Sequence, residues 1–167
     1  MKEITLMKTK FVKNIMAPLV VAFALLPMVA APATRPSMEG GRLQGTWEMQ
    51  ITLTDCAGHV IRSFPSLIEF VAGGTVVESN GGTPQALKTP GEGAWRHTAD
   101  SNYAFRFKFF TFNPQNVFTG WTIIAGETTV DETGNANAGS ATVKVYDPNG
   151  VLLVSLCAET AGTRFDL

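Results

Sequence analysis

Between Trp47 and Asp55 apolar and polar side chains alternate without interruption: Trp47, Met49, Ile51 and Leu53 against Glu48, Gln50, Thr52 and Thr54. A period of two puts the four apolar groups on one face of a β-strand and the polar groups on the other. The same pattern returns most strongly where Tyr103, Phe105, Phe107 and Phe109 alternate with Ala104, Arg106 and Lys108. A chain built this way must bury one face of a sheet, and after residue 33 no stretch offers ten residues of helical periodicity.

Turn residues punctuate the strands. The spacing predicts strands over 44–55, 60–72, 75–79, 93–98, from Tyr103 to Phe112, over 117–130 and 140–146, and from Val151 onward. Gly73-Gly74 and Asp147-Pro148-Asn149-Gly150 are hairpin signals, and residues 134–139 read as a turn rich in Gly, Asn and Ala. Pro65 inside strand two predicts a bulge or an edge-like stretch. Residues 80–90, with Gly81, Gly82, Pro84 and Pro90, form the one long loop. Eight strands in series with short turns favour a single all-β, eight-stranded antiparallel up-and-down β-barrel over a Greek-key sandwich.

The first 33 residues stand apart. Lys2, Lys8, Lys10 and Lys13 precede an apolar core, and Ala31-Pro32-Ala33 is a small-x-small cleavage site, so 1–33 reads as a signal peptide for export. A retained membrane anchor is the alternative. Residues 34–42 read as a flexible lead-in, and 43–167 as the barrel domain. The leader takes four lysines and one glutamate with it, so 13 basic and 14 acidic residues become 9 and 13. A net charge of −4 gives no electrostatic support to nucleic acid or to an anionic membrane as partner.

Export decides how Cys56 and Cys157 are read. In an oxidising compartment two cysteines in a small domain are expected to pair, two buried free thiols being the alternative. The chain-entropy model values a loop of about 100 residues at about 4–5 kcal/mol as an upper figure.

Gly45-Thr46-Trp47 at the head of strand one resembles the Gly-x-Trp that opens lipocalins and the wider calycin group. Those barrels pack an Arg or Lys from the far end of the barrel across that Trp, and the resemblance implies Arg164 for this role. It extends to small bacterial secreted barrels and to allene-oxide-cyclase-like barrels, implying either an apolar-ligand carrier or an isomerase or cyclase. Neither a Thr-Asp-Tyr type motif nor a C-terminal helix is present. If Trp47 faces Arg164 on an antiparallel neighbour, paired positions share the sum 211. Cys157 then falls opposite Thr54, one diagonal step from Cys56 and on the outer face. In the same register Leu152, Val154 and Leu156 point inward.

Support for catalysis is thin. Glu92 and His97 form the nearest thing to an acid–base pair, against the plainer reading of a rim histidine. Glu48 and Glu69 do not read as a facing carboxylate pair. No cluster has metal-ligand spacing and no motif calls for a cofactor. The features richest in binding character are aromatic: Trp95, Tyr103, Phe105, Phe107, Phe109 and Trp121 are the candidate lining of an apolar pocket. The competing expectation is a barrel filled by these same rings, a void above roughly 300 Å³ separating the two. Residues 80–90 are best placed to lid the mouth. Phe110 and Phe112, apolar on the outer parity, are the candidate contact patch for an oligomer or another partner.

Overall fold

A computed structural model describes residues 41–166. Residues 1–33, read from the sequence as a signal peptide, and all but the last two residues of the expected lead-in lie outside that span. The strands are β1 (Gly45–Thr54), β2 (Val60–Val71), β3 (Thr75–Asn80), β4 (Gly91–Ala99), β5 (Asn102–Phe112), β6 (Phe118–Val130), β7 (Ala136–Tyr146) and β8 (Leu152–Arg164). Each pairs antiparallel with the next, and β8 returns to β1, closing the barrel. Among the described residues no helix is long and apolar enough to cross a membrane.

Closure follows the sum of 211 throughout, from Trp47↔Arg164 to Thr54↔Cys157. Cys56 and Cys157 are joined by a disulfide with Cα atoms 4.9 Å apart. The chain enters through a turn in which Gln44 N donates to the Gly41 carbonyl at 3.0 Å.

Two local expectations change, and a third, open between two readings at Pro65, resolves to one of them. β7 begins at Ala136, four residues before the expected start, and pairs continuously with β6 through Gly139. The glycine serves a close approach of two backbones rather than a turn, since an added Cβ would run into the Glu127 carbonyl. The reversal lies at residues 131–135. There Asp131 Oδ1 accepts from Asn135 N at 3.0 Å and Ala136 N at 3.1 Å, and Oδ2 accepts from Thr133 Oγ1 at 2.6 Å.

Of the two readings at Pro65, the edge-like stretch is the one found: the β1–β2 register runs straight through Gln50↔Pro65 without a bulge, while pairing with β3 begins only at Ser66. The Pro65 carbonyl accepts from Gly81 N at 2.9 Å, just past the end of β3. A residue's N–H and C=O point to the same neighbouring strand, so the missing N–H falls where that neighbour has already ended. Leu152 and Val154 do not fill the core: both are exposed, because β8 starts beyond the body of the barrel and its register with β7 shifts after Val145.

The interior divides along the barrel axis. Leu43, Trp47, Val76, Tyr103 and Val130 are fully or almost fully buried at the end where the chain enters. Above them Phe70 meets Trp95 edge to face at 5.8 Å and Phe105 at 6.2 Å. Toward the opposite end the inward residues of β7 and β8 shrink to Ala141, Val143, Leu156 and Ala158, and the interior opens.

Candidate functional site

At the closed end Arg164 binds rather than caps. Its guanidinium carbon lies 4.4 Å from the centroid of the Trp47 ring. Nε donates to the Gly134 carbonyl at 2.9 Å and Nη1 to that of Gln44 at 2.8 Å, while Nη2 donates to the Arg42 carbonyl. Trp47 Nε1 donates to the Leu43 carbonyl at 2.8 Å. Each of these hydrogen bonds from Arg164 and Trp47 ends on a backbone carbonyl.

The other half holds a cavity of about 230 Å³. Phe105, Phe107 and Phe109 of β5 form one wall, and Ile51, Ile124, Val143, Leu156 and Ala158 form much of the rest. It reaches the surface beside the exposed Arg62, between Asn80 and Thr83 of the long loop and Thr111 of β5. The interior is therefore packed in one half and open in the other. The volume falls short of the roughly 300 Å³ that would separate a ligand pocket from a filled barrel, so neither expectation is met in full. It exceeds the roughly 150 Å³ apolar cavity that takes up benzene.

The remaining aromatic candidates lie elsewhere. Trp95 and Tyr103 sit below the cavity in the packed half, Trp95 donating from Nε1 to the Val71 carbonyl at 2.9 Å. Trp121 faces outward, since Thr122 and Ile124 take the inner parity of β6. Its ring stacks on Tyr146 at 5.7 Å and carries the Lys108 ammonium at 4.3 Å. Phe110 is exposed and Phe112 half-buried, and both rings contact Phe118 on the same outer surface. Glu92 and His97 are not brought together: an odd separation puts them on opposite faces of β4, and His97 Nε2 lies 2.8 Å from the Asp100 carbonyl.

One polar group in the cavity wall escapes a reading by composition. Glu78 is buried there, its Oε2 accepting from Lys88 Nζ at 3.0 Å and its Oε1 from Ser66 Oγ at 3.3 Å and from Asn80 Nδ2. Lys88 is itself buried, with its ammonium 4.6 Å from the Phe109 ring centroid. Such a pair survives away from water only because each charge is matched and the carboxylate's other oxygen is hydrogen-bonded. Gly91 makes room for it, since a Cβ there would fall 2.8 Å from both Glu78 and Phe107. Period two was the signal that could have found Glu78, which shares the inner parity of Val76. Lys88 carried no periodic signal, because it comes from a loop.

The long loop is anchored to this rim. A single 3-10 turn, Gln85–Leu87, precedes Lys88. Arg62 Nη1 donates to the Gly82 carbonyl, and Gln85 Nε2 donates to the Asn80 carbonyl at 2.9 Å. In the neighbouring β1–β2 turn the Asp55 carboxyl is held below its ordinary value, first by the His59 side chain at 2.7 Å and then by the Ala57 N–H.

One hydroxyl is unmatched. Thr160 borders the cavity, but its Oγ1 is buried within the wall and has no hydrogen-bond partner among the described residues. Also among the described residues, no cluster of three His, Cys, Asp or Glu is placed to hold a metal ion. No protein-family model matches this chain and no curated protein matches it, so the site speaks through its geometry alone.

Proposed function

We propose that this is an exported, calycin-like barrel that binds a small hydrophobic molecule in the cavity at its open end. The observation that carries the reading is an apolar cavity of about 230 Å³ that reaches the surface, set in a barrel whose other half is packed. The disulfide between Cys56 in the β1–β2 turn and Cys157 on β8, 101 residues apart in sequence, supports an oxidising destination. Toluene is the simplest probe, and it should shift the methyl resonances of Ile51, Ile124, Val143 and Leu156 while leaving Val76 and Val130 still. Native mass spectrometry of protein from its own host should show a retained small adduct. Methyl groups of the cavity that ignore toluene at saturation would end this reading.

A second reading, an isomerase or cyclase, draws on the buried Glu78 carboxylate in an apolar wall. It ranks lower because both carboxylate oxygens already accept hydrogen bonds, leaving no free base. Association through Phe110 and Phe112 is compatible with either and uses the outer surface.

A further inference from the structure

The outer surface of the open half carries a second feature, independent of what the cavity holds. Of the exposed large apolar side chains among the described residues, all but Leu67, Val71 and Phe165 lie at strand ends around the mouth. Val60 and Ile61 open β2, Phe110, Val117 and Phe118 flank the β5–β6 turn, and residues 151–154 lead into β8.

On the outer face of β5 to β8 the register sorts side chains into rows. Phe110, Trp121, Tyr146 and Leu152 align in one. Lys108, Ile123, Lys144 and Ser155 form the next row toward the closed end. Two rows further on, Glu127 and Glu159 flank Ser140. Along the strands the face is thus aromatic, then basic, then acidic. The Lys108 ammonium is turned toward the aromatic row, 4.3 Å from the Trp121 ring centroid and 4.9 Å from that of Phe110.

The net charge that weighs against an anionic partner for the surface as a whole is therefore unevenly spread. In the open half of these four strands Arg106, Lys108 and Lys144 are balanced by Asp147 alone. Glu127, Asp131, Glu132 and Glu159 lie toward the closed end. Aromatic rings with cations just behind them suit a membrane interface, where rings enter the headgroup layer and lysine stems carry their charge to anionic phosphates.

We propose that this barrel docks rim first on an anionic lipid bilayer. Phe110, Phe118, Trp121 and the 151–154 segment enter the headgroup layer, and Lys108 and Lys144 meet the phosphates. A second copy on the same face would cover the rings but bring no countercharge beyond Asp147, since an isologous contact repeats the same rows. Docking in this orientation turns the cavity mouth at Thr111, which stands between Phe110 and Phe112 in the chain, toward the lipid.

Trp121 supplies the readout, because Trp47 and Trp95 are buried. Disulfide-bonded protein recovered after export is to be mixed with vesicles of phosphatidylcholine alone, or of equal parts phosphatidylcholine and phosphatidylglycerol, with and without brominated acyl chains. On the anionic vesicles the protein should cosediment, and its emission should shift to the blue and be quenched by bromine. Trp121→Phe should remove that response. Lys108→Gln with Lys144→Gln should weaken partitioning about 25-fold, each lysine at an anionic surface counting about fivefold. Leu153→Asp, at an exposed position, should abolish insertion without lowering the melting temperature, and Phe165→Asp at the closed end should leave it intact. No cosedimentation with anionic vesicles, equal partitioning onto neutral ones, or binding that leaves Trp121 emission unmoved overturns the proposal. So does a lipid-free dimer in sedimentation velocity that Leu153→Asp dissolves while the wild type ignores vesicles, which would assign the face to a second copy.

Discussion

At the closed end Trp47, Leu43 and Tyr103 are buried to within two per cent, and Arg164 ties three carbonyls from two chain segments, the entering chain at 42–44 and the β6–β7 turn, over the Trp47 ring. At the open end Ile51, Phe64, Ile124, Val143 and Leu156 are only partly buried around a space, with the Cys56–Cys157 bridge outside the wall. The same strands build both ends. β5 contributes Tyr103 to the plug and Phe109 to the cavity, and β1 contributes Trp47 to one and Leu53 to the other. What a residue does here depends on its height along the strand: large rings low down supply stability, and small residues high up on β7 and β8 leave the cavity open.

The sharpest way to break that contrast is to shorten one ring at each end. Trp47→Ala should cost about 3–5 kcal/mol, because packed atoms on all sides lose their contacts. Phe107→Ala should cost clearly less, about 2–3 kcal/mol, because its ring already faces space, and it should change toluene binding. Equal losses in denaturant titrations, with binding unaltered, would mean that the upper half is as tightly packed as the lower.

Removing the bridge by Cys56→Ser with Cys157→Ser should cost about 2–4 kcal/mol. Most of the damage should appear at the open end, as faster amide exchange in residues flanking 56 and 157 than around Trp47. Uniform loss of protection would show that the two ends open together.

Arg164→Ala should destabilise by about 2 kcal/mol through lost charged hydrogen bonds and the cation–π contact. Its effect on probe affinity should be negligible, since the side chain lies at the far end. A wild-type melting temperature, or a several-fold change in affinity, would contradict this division of labour.

The smallest effect is acid sensitivity. Asp131 at the closed end, held mainly by Thr133 and the Ala136 N–H, and Asp55 at the rim both have carboxyls below the ordinary 3.8. A folded-state value below the unfolded one contributes stability above about pH 4 and loses it as pH falls through the folded value. Melting temperature should therefore decline modestly below about pH 4, and Asp131→Ala should flatten that limb. An unchanged acid slope in the variant would remove Asp131 from the account.

Much of the fold was legible because period two is a local signal repeated eight times, and because one register joined Trp47 to Arg164 while placing Cys157 beside Cys56. The exact extent of β7 was not: glycine in a sequence marks either a turn or a close approach of backbones, and Gly139 is the second kind. The open half was harder to foresee. It arises from Ala141 and Ala158 standing across the barrel from the phenylalanines of β5, a long-range pairing of sizes that no single segment displays. Trp121 misleads for a related reason, since ring size suggests a core and only the parity of Thr122 and Ile124 turns it outward. Lys88 was out of reach, because a loop has no period to read, whereas Glu78 could be read from Val76.

Seven of the eight strand pairings join consecutive hairpins, and the eighth joins β1 to β8. Loop-closure entropy is therefore concentrated in one late step, and until it is completed the sheet has two bare edges able to recruit strands from other chains. Cys56 and Cys157 sit on that seam, as do Trp47 and Arg164. A chain emerging N-terminus first cannot close before its last strand arrives, so β1 must wait, with its edge unpaired, for almost the whole of synthesis or translocation. A truncation inside β8 would leave that seam open and expose the protein to aggregation more than to simple loss of stability.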